Sequence, residues 1–210
     1  MTDLRVGIVD YGMGNITSIR NMIRHVGGTA AIISEPAGLD TVDKVILPGV
    51  GAFDNGMQKL RDRGFEEVLH RVVQQEQKPV LGICLGMQLM TKHSQEGDLT
   101  GLGWFDAETY NMQEQINGTG LRIPHMGWNS VTFLREAPIA EGLDAAPRFY
   151  FVHGYAVRCA NPADILCTCE YGTAITAGIL QEHICGVQFH PEKSHKFGMK
   201  LLYNFSCRNS

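Results

Sequence analysis

Apolar positions along this chain fall into two regimes, and the change between them comes after residue 95. In the first, short runs rich in Val, Ile and Leu at residues 4–9, 30–33, 45–47 and 80–83 alternate with longer segments of helical period. Segment 16–26 carries apolar side chains at 16, 19, 22, 23 and 26, and segment 57–73 repeats them at 57, 60, 65, 68, 69, 72 and 73. Each spacing lays an apolar stripe along one helix face, so both segments predict helices packed on a sheet. Strands alternating with helices predict an α/β fold with an open, mostly parallel sheet flanked by helices. In the second regime, strands follow one another through turns at 103–110, 131–133, 149–158, 165–170, 174–181 and 184–189, which adds antiparallel strands in the second half. A helix over 194–206 closes the pattern. No repeat, low-complexity tract or linker interrupts it, so residues 1–210 are expected to form a single domain.

The strand at 80–83 runs into Gly82-Ile83-Cys84-Leu85-Gly86, a cysteine held between two glycines. In a G-x-nucleophile-x-G elbow the chain turns sharply from strand to helix, and the small flanking residues admit a strained backbone at the nucleophile. The sulfur then sits at a helix N-terminus, where partial positive charge favours thiolate. Alone, the same five residues also describe a buried cysteine at the end of a core strand. A second motif, Gly186-Val187-Gln188-Phe189-His190-Pro191-Glu192, decides between them, because it brings a histidine and then a carboxylate off the end of another strand. Histidine can take the proton of a cysteine, and a carboxylate on its other ring nitrogen sets the tautomer and stabilises the imidazolium. Pro191 pushes His190 towards an extended backbone, so both side chains leave the strand end in a defined relation.

Cys84 followed by His190 and Glu192 resembles the class I glutamine amidotransferases, whose glutaminase domain uses a Cys-His-Glu triad. Asp10-Tyr11-Gly12-Met13-Gly14-Asn15, Leu47-Pro48-Gly49-Val50-Gly51-Ala52-Phe53, Pro124-His125-Met126-Gly127-Trp128-Asn129 and Phe151-Val152-His153-Gly154-Tyr155 look like signatures of one branch of that family. That branch is the glutaminase subunits of imidazole glycerol phosphate synthase, and the resemblance runs from residue 4 to about residue 206. It implies hydrolysis of L-glutamine to glutamate and ammonia, with no cofactor or metal. It also implies an oxyanion hole from the Val50–Gly51 peptide and the Leu85 N–H, although Pro48-Gly49-Val50-Gly51 alone reads as a tight turn. Gln88, four residues after Cys84 and so on the same helix face, resembles a substrate-contacting residue. Glu96, on sequence grounds alone an ordinary polar loop residue, falls where the family has a substrate-contacting carboxylate, and Val152, His153 and Gly154 would add backbone contacts to the same pocket. His153 is read as structural or interfacial rather than as a second base.

The chain contains no second catalytic motif to consume ammonia, so a partner is implied. In the family it is a (β/α)8-barrel cyclase joined as a heterodimer, which makes imidazole glycerol phosphate and AICAR in histidine biosynthesis. Asn15, His125, Met126 and Trp128 are expected at that interface. Trp128 also fits a core aromatic, but a Trp among Gly, Met and Asn on a turn suits a contact anchor.

Composition narrows the setting. A net charge of −4 without a basic cluster argues against nucleic acid as a main partner. No apolar run approaches a membrane span, and residues 1–10 lack the features of a signal peptide, which points to a cytoplasmic protein. The six cysteines, at 84, 159, 167, 169, 185 and 207, have no repeated spacing, in keeping with reduced thiols. Cys167 and Cys169 would face one side of a strand, and core packing suits them better than a metal. Three alternatives stay open: a paralogous glutaminase feeding a barrel that amidates a surface-glycan sugar precursor, a non-catalytic scaffold of the same fold, and a freestanding glutamyl hydrolase. Ser194-His195-Lys196-Phe197-Gly198-Met199-Lys200 after the triad glutamate looks more like the glycan branch.

Overall fold

The computed structural model describes residues 4–208. Its strands are β1 (Arg5–Val9), β2 (Thr29–Ile33), β3 (Lys44–Leu47), β4 (Val80–Ile83), β5 (His93–Ser94), β6 (Ala107–Asn111), β7 (His125–Ser130), β8 (Thr132–Phe133), β9 (Arg148–His153), β10 (Tyr155–Cys159), β11 (Ile165–Glu170), β12 (Ala174–Gln181) and β13 (Ile184–Val187). The helices are α1 (Ile16–His25), α2 (Phe53–Asp62), α3 (Phe65–His70), α4 (Leu85–Leu89), α5 (Gln113–Ile116) and α6 (His195–Cys207). An eleven-stranded sheet runs β2-β1-β3-β4-β13-β12-β10-β6-β5, with β11 and β8 joined beside β12. Pairing is parallel from β2 through β13 and antiparallel from β13 through β6. The mixed sheet, parallel in the first half and antiparallel in the second, is the expected one.

Central parallel strands bury both faces, which is why β3, β4 and β13 read as unbroken apolar runs rather than alternating ones. Each fully buried Val, Leu or Ile there stabilises the fold by about 1.5–3 kcal/mol. On one face of the sheet, α1 buries Ile19 and Ile23; on the other, α2 buries Phe53, Met57 and Leu60. Lys44 reaches from β3 to donate to the carbonyls of Phe205 and Arg208, and its positive charge complements the C-terminal end of α6.

Four departures from the sequence expectation have physical causes. The stripe at 57–73 is not one helix, because Gly64 takes a left-handed conformation (φ 69°) between α2 and α3 and a π-type turn follows at Arg71–Gln75. The five-residue step from 60 to 65, one too long for a helical stripe, is where the break falls. The strand expected over 149–158 divides at Gly154: β9 pairs with β7 in a separate two-stranded sheet, whereas β10 joins the main one. His125-Met126-Gly127-Trp128-Asn129 lies in β7 rather than on a turn, since β9 offers it a full antiparallel partner. The strand expected to begin at 103 begins at Ala107, after a loop in which the Leu102 and Trp104 amides donate to Leu89 and Met90 just above the elbow.

A Cβ on Gly198 of α6 would lie 1.8 Å from the Pro191 carbonyl oxygen. Gly198→Ala is therefore expected to lower the urea unfolding free energy by roughly 1–3 kcal/mol despite the better helix propensity of Ala. Gly103→Ala, with nothing within 4 Å and only a positive φ to pay for, should cost about 1–2 kcal/mol.

Candidate active site

Cys84 is the residue between β4 and α4, and its backbone is left-handed, at φ 55° and ψ −110°. A non-glycine residue there is a strained conformation held by its surroundings. Its amide donates to Val187 at 2.8 Å, tying it to the end of β13, and its carbonyl accepts from Met87 and Gln88 at the start of α4. Both flanking glycines are dictated by space. A Cβ on Gly86 would lie 1.8 Å from the Leu47 carbonyl oxygen, and one on Gly82 would lie 2.8 Å from the Met87 nitrogen.

Beyond β13 the chain stays extended, and residues alternate. Phe189 stacks on Phe149 with ring centroids 3.9 Å apart, while Gln188 and His190 share the opposite side. The His190 amide donates to the Tyr150 carbonyl, which anchors this extension to β9. Pro191 starts a single 3-10 turn, and this turn carries Glu192 back so that its Oε1 accepts from His190 Nδ1 at 2.8 Å. The pair is buried, and among the described residues His190 Nε2 has no hydrogen-bond partner. Burial opposes a charge on His190, but the adjacent Cys84 sulfur and Glu192 carboxylate outweigh it and raise the imidazole above its ordinary value.

A hydrogen-bonded network surrounds this centre. Gln88 Nε2 donates to the Tyr155 carbonyl and to Gln188 Oε1, both at 3.1 Å, and Gln188 Nε2 donates to Cys84 Sγ at 3.7 Å. The same Tyr155 carbonyl accepts from His153 Nδ1 at 2.8 Å, and His153 Nε2 meets His125 Nδ1 at 3.1 Å. Because a carbonyl only accepts, neutral His153 must carry its proton on Nδ1, so His125 donates to it from Nδ1. His125 Nε2 is then left to accept from Asn129 Nδ2, at 3.3 Å. His125 is stacked between Phe151 and Tyr171.

The class I glutamine amidotransferase family matches residues 7–208 of the chain. The chain belongs to the class I glutamine amidotransferases. It is thus an enzyme, and among its relatives is imidazole glycerol phosphate synthase subunit HisH 2 of Methanococcus maripaludis, 48% identical over 95% of this chain and 98% of that one. The HisH 2 subunit of Pseudomonas aeruginosa is 46% identical over 94% of this chain and 96% of that one. In fold, this amidotransferase is similar to PurLQS from Thermotoga maritima (TM-score 0.73, 16% identity, 96% of each chain). It also resembles the glutaminase domain of Trypanosoma brucei CTPS, solved with bound acivicin (TM-score 0.68, 16% identity, 99% of this chain and 95% of that one).

The other expected site residues of this amidotransferase fall at different distances from the elbow. The Pro48–Gly51 loop packs directly on it: a Cβ on Gly49 would lie 2.8 Å from Leu85 Cβ and 3.0 Å from the Gly86 nitrogen. The Tyr11 hydroxyl donates to the Pro48 carbonyl at 2.7 Å, and burial, with Cys84 adding, raises the phenol well above its usual value. Val50 is exposed and Gly51 has φ 107°. Leu85 opens α4, so its N–H is one of the helix donors without an intrahelical acceptor. Glu96 accepts from the Phe53 amide at 2.8 Å and so caps α2. Burial raises the Glu96 carboxyl, the Phe53 N–H opposes this and Asp54 adds to it.

Of the segment Val152-His153-Gly154, the His153 ring is committed to the network and the Gly154 carbonyl accepts from Met112, while Val152 is half-buried. The β7 alternation exposes Met126 (62%) and Trp128 (38%) and turns His125 inward, so His125 is not on the face expected for it. Trp128 stacks on His195, and Asn15 is exposed at the start of α1. Cys167 and Cys169 lie in the core, where burial raises both thiols, with the neighbouring Cys185 and Cys169 adding for Cys167 and Glu170 adding for Cys169, which is pushed up to about 12. Tyr155 and Gln188 were not singled out by the sequence, although the alternation that placed His190 also placed Gln188.

Burial lowers His125 to about 4; burial, joined by the charges of His125 and His190 against the Tyr155 carbonyl, lowers His153 to about 3. Unfolded histidines take up protons near 6.5, before the folded ones do, so this contribution is complete above that pH and is lost on acidification. Stability should fall between about pH 6.5 and 4, at up to about 1.4 kcal/mol per pH unit for each group. His190 titrates in the opposite sense, with stability lost as the pH rises above about 6.5, so its contribution does not overlap this window. Urea unfolding across pH 7–4.5 measures the effect, and His125→Gln should flatten the slope.

Proposed function

We propose that the chain, as one domain over 1–210, is the glutaminase subunit of an imidazole glycerol phosphate synthase. The observation that carries this reading is a left-handed cysteine at a helix start beside a buried His190–Glu192 pair whose Nε2 is unengaged. The extent and level of identity to HisH subunits support the pathway.

The Cys84 thiolate attacks the side-chain carbonyl carbon of L-glutamine, and the tetrahedral oxygen is held by the Leu85 N–H and the Val50–Gly51 peptide. His190 passes its Nε2 proton to the departing nitrogen as the C–N bond breaks, which releases ammonia and leaves a glutamyl thioester. Water then attacks the thioester, His190 takes its proton, and glutamate leaves with the thiolate restored. Glu192 orients His190 throughout. Gln88, Glu96 and the 152–154 backbone hold the substrate. Ammonia passes to a (β/α)8-barrel cyclase bound as a heterodimer, in the cytoplasm, where imidazole glycerol phosphate and AICAR form. Exposed Met126 and Trp128 on β7, with Asn15, form the docking face; exposed aromatic and Met side chains are the types that anchor such contacts.

The segment from Ser194 to Lys200, which looks more like the glycan branch, is the one feature that favours a second reading. In it, the chain is a paralogous glutaminase whose barrel partner amidates a surface-glycan sugar precursor. Glutamate release measured alone, with the barrel partner, and with its nucleotide substrate separates the two. The histidine pathway requires stimulation by both partner and nucleotide; stimulation by partner alone supports the paralogue.

Cys84→Ala should abolish glutamine-dependent synthesis and leave synthesis from ammonium salts intact; loss of both would refute the division of labour. Glu192→Gln, which keeps the shape but not the charge, should lower kcat for glutamate release by roughly 10²–10⁴-fold.

A further inference from the structure

Gln188 is fully buried, and the mechanism above gives it no task. A buried amide is costly unless its polar atoms are paired. Its two ends point to different partners, Oε1 to Gln88 Nε2 at 3.1 Å and Nε2 to Cys84 Sγ at 3.7 Å. The orientation of that amide is forced from outside. The Tyr155 carbonyl can only accept, so the end of Gln88 facing it must be the NH2 group. The same NH2 group faces Gln188, which must therefore answer with its oxygen. Its nitrogen is left for the sulfur. A Gln188 turned the other way would place a carbonyl oxygen against Cys84 and an NH2 group against the NH2 of Gln88.

We propose that Gln188 is a positioning residue of the glutaminase, presenting an N–H to the Cys84 sulfur in an orientation set by the Tyr155 carbonyl through Gln88. The proposal rests on Cys84 being the nucleophile. An N–H aimed at sulfur favours the thiolate over the thiol, because the hydrogen bond to the charged form is the stronger. It complements His190, which comes from the same side of the β13 extension. One strand end thus supplies both a proton carrier and a neutral donor to the same atom. The donor also links the nucleophile to Gln88, so a substrate that engages Gln88 acts on a side chain already tied to the sulfur.

Gln188→Met keeps the length of the side chain and removes the donor. In the complex with the barrel partner it is expected to lower kcat for glutamate release roughly 10- to 100-fold with KM within about threefold. Iodoacetamide alkylation of Cys84 in the intact chain, with the rate of the Cys84→Ala variant subtracted, is the second readout. Its half-maximal pH should rise by about one pH unit in Gln188→Met. A packing role alone would change the melting temperature and leave that profile in place. Should Gln188→Met not fold, Gln188→Leu also lacks the N–H, adds no charge beside the sulfur and carries the same expectation. An unchanged alkylation profile, or kcat within about twofold of the parent in the folded variant, overturns the proposal. Glutaminase activity persisting in Cys84→Ala would instead refute the nucleophile on which it rests.

Discussion

The close approach of α4 to the end of β3 is the constraint on which the rest of the site depends. No side chain fits at Gly86 beside the Leu47 carbonyl, and this contact lets α4 start immediately after β4. With the helix start pinned there, Cys84 has no room to relax and stays left-handed, its amide bound to Val187. Strain of this type costs of order 1–3 kcal/mol and persists only where surrounding packing over-determines it. Here the buried parallel strands on either side of β4 provide that packing.

From the elbow outward, hydrogen-bond polarity is propagated by a single backbone carbonyl. Tyr155 lies just past the break at Gly154, where the chain leaves the small β7–β9 sheet and enters the large one. Its oxygen sets the amide of Gln88 on one side and the tautomer of His153 on the other. The acceptor-only chemistry of a carbonyl thus fixes donor and acceptor roles from Asn129 on β7 to the Cys84 sulfur. The chain of contacts joins the sheet that carries the exposed Met126 and Trp128 to the nucleophile, with both histidines neutral at ordinary pH. Keeping those rings uncharged is what makes the directionality definite, since a doubly protonated ring would have no acceptor to offer.

Glu96 shows how one carboxylate can be claimed by local structure. Ala52, at the N-cap of α2, offers no side-chain acceptor, and Glu96 supplies one from a separate loop. That bond also holds the loop after β5 against the start of α2. A substrate contact from Glu96 would have to come from its remaining acceptor capacity.

What the amino-acid order determined by itself was local in origin. Unbroken apolar runs marked the parallel strands at 45–47 and 80–83, and glycines spaced about Cys84 marked the elbow. Alternation past 187 put His190 on one side, with Pro191 and Glu192 following in a turn. These patterns are short-range because strand period, turn chemistry and glycine spacing act within a few residues. Tertiary structure alone decided that 149–158 would divide between two sheets, that 125–129 would be a strand, and that His125 would face inward beside His153. Each of these depends on a partner far along the chain: β9 for β7, β6 and β12 for β10. The role open to Gln188 was decided in the same way. Its neighbours Gln88 and Cys84 lie about a hundred residues away in sequence, with the orienting carbonyl between them, and only the folded sheet brings all four groups within hydrogen-bond range.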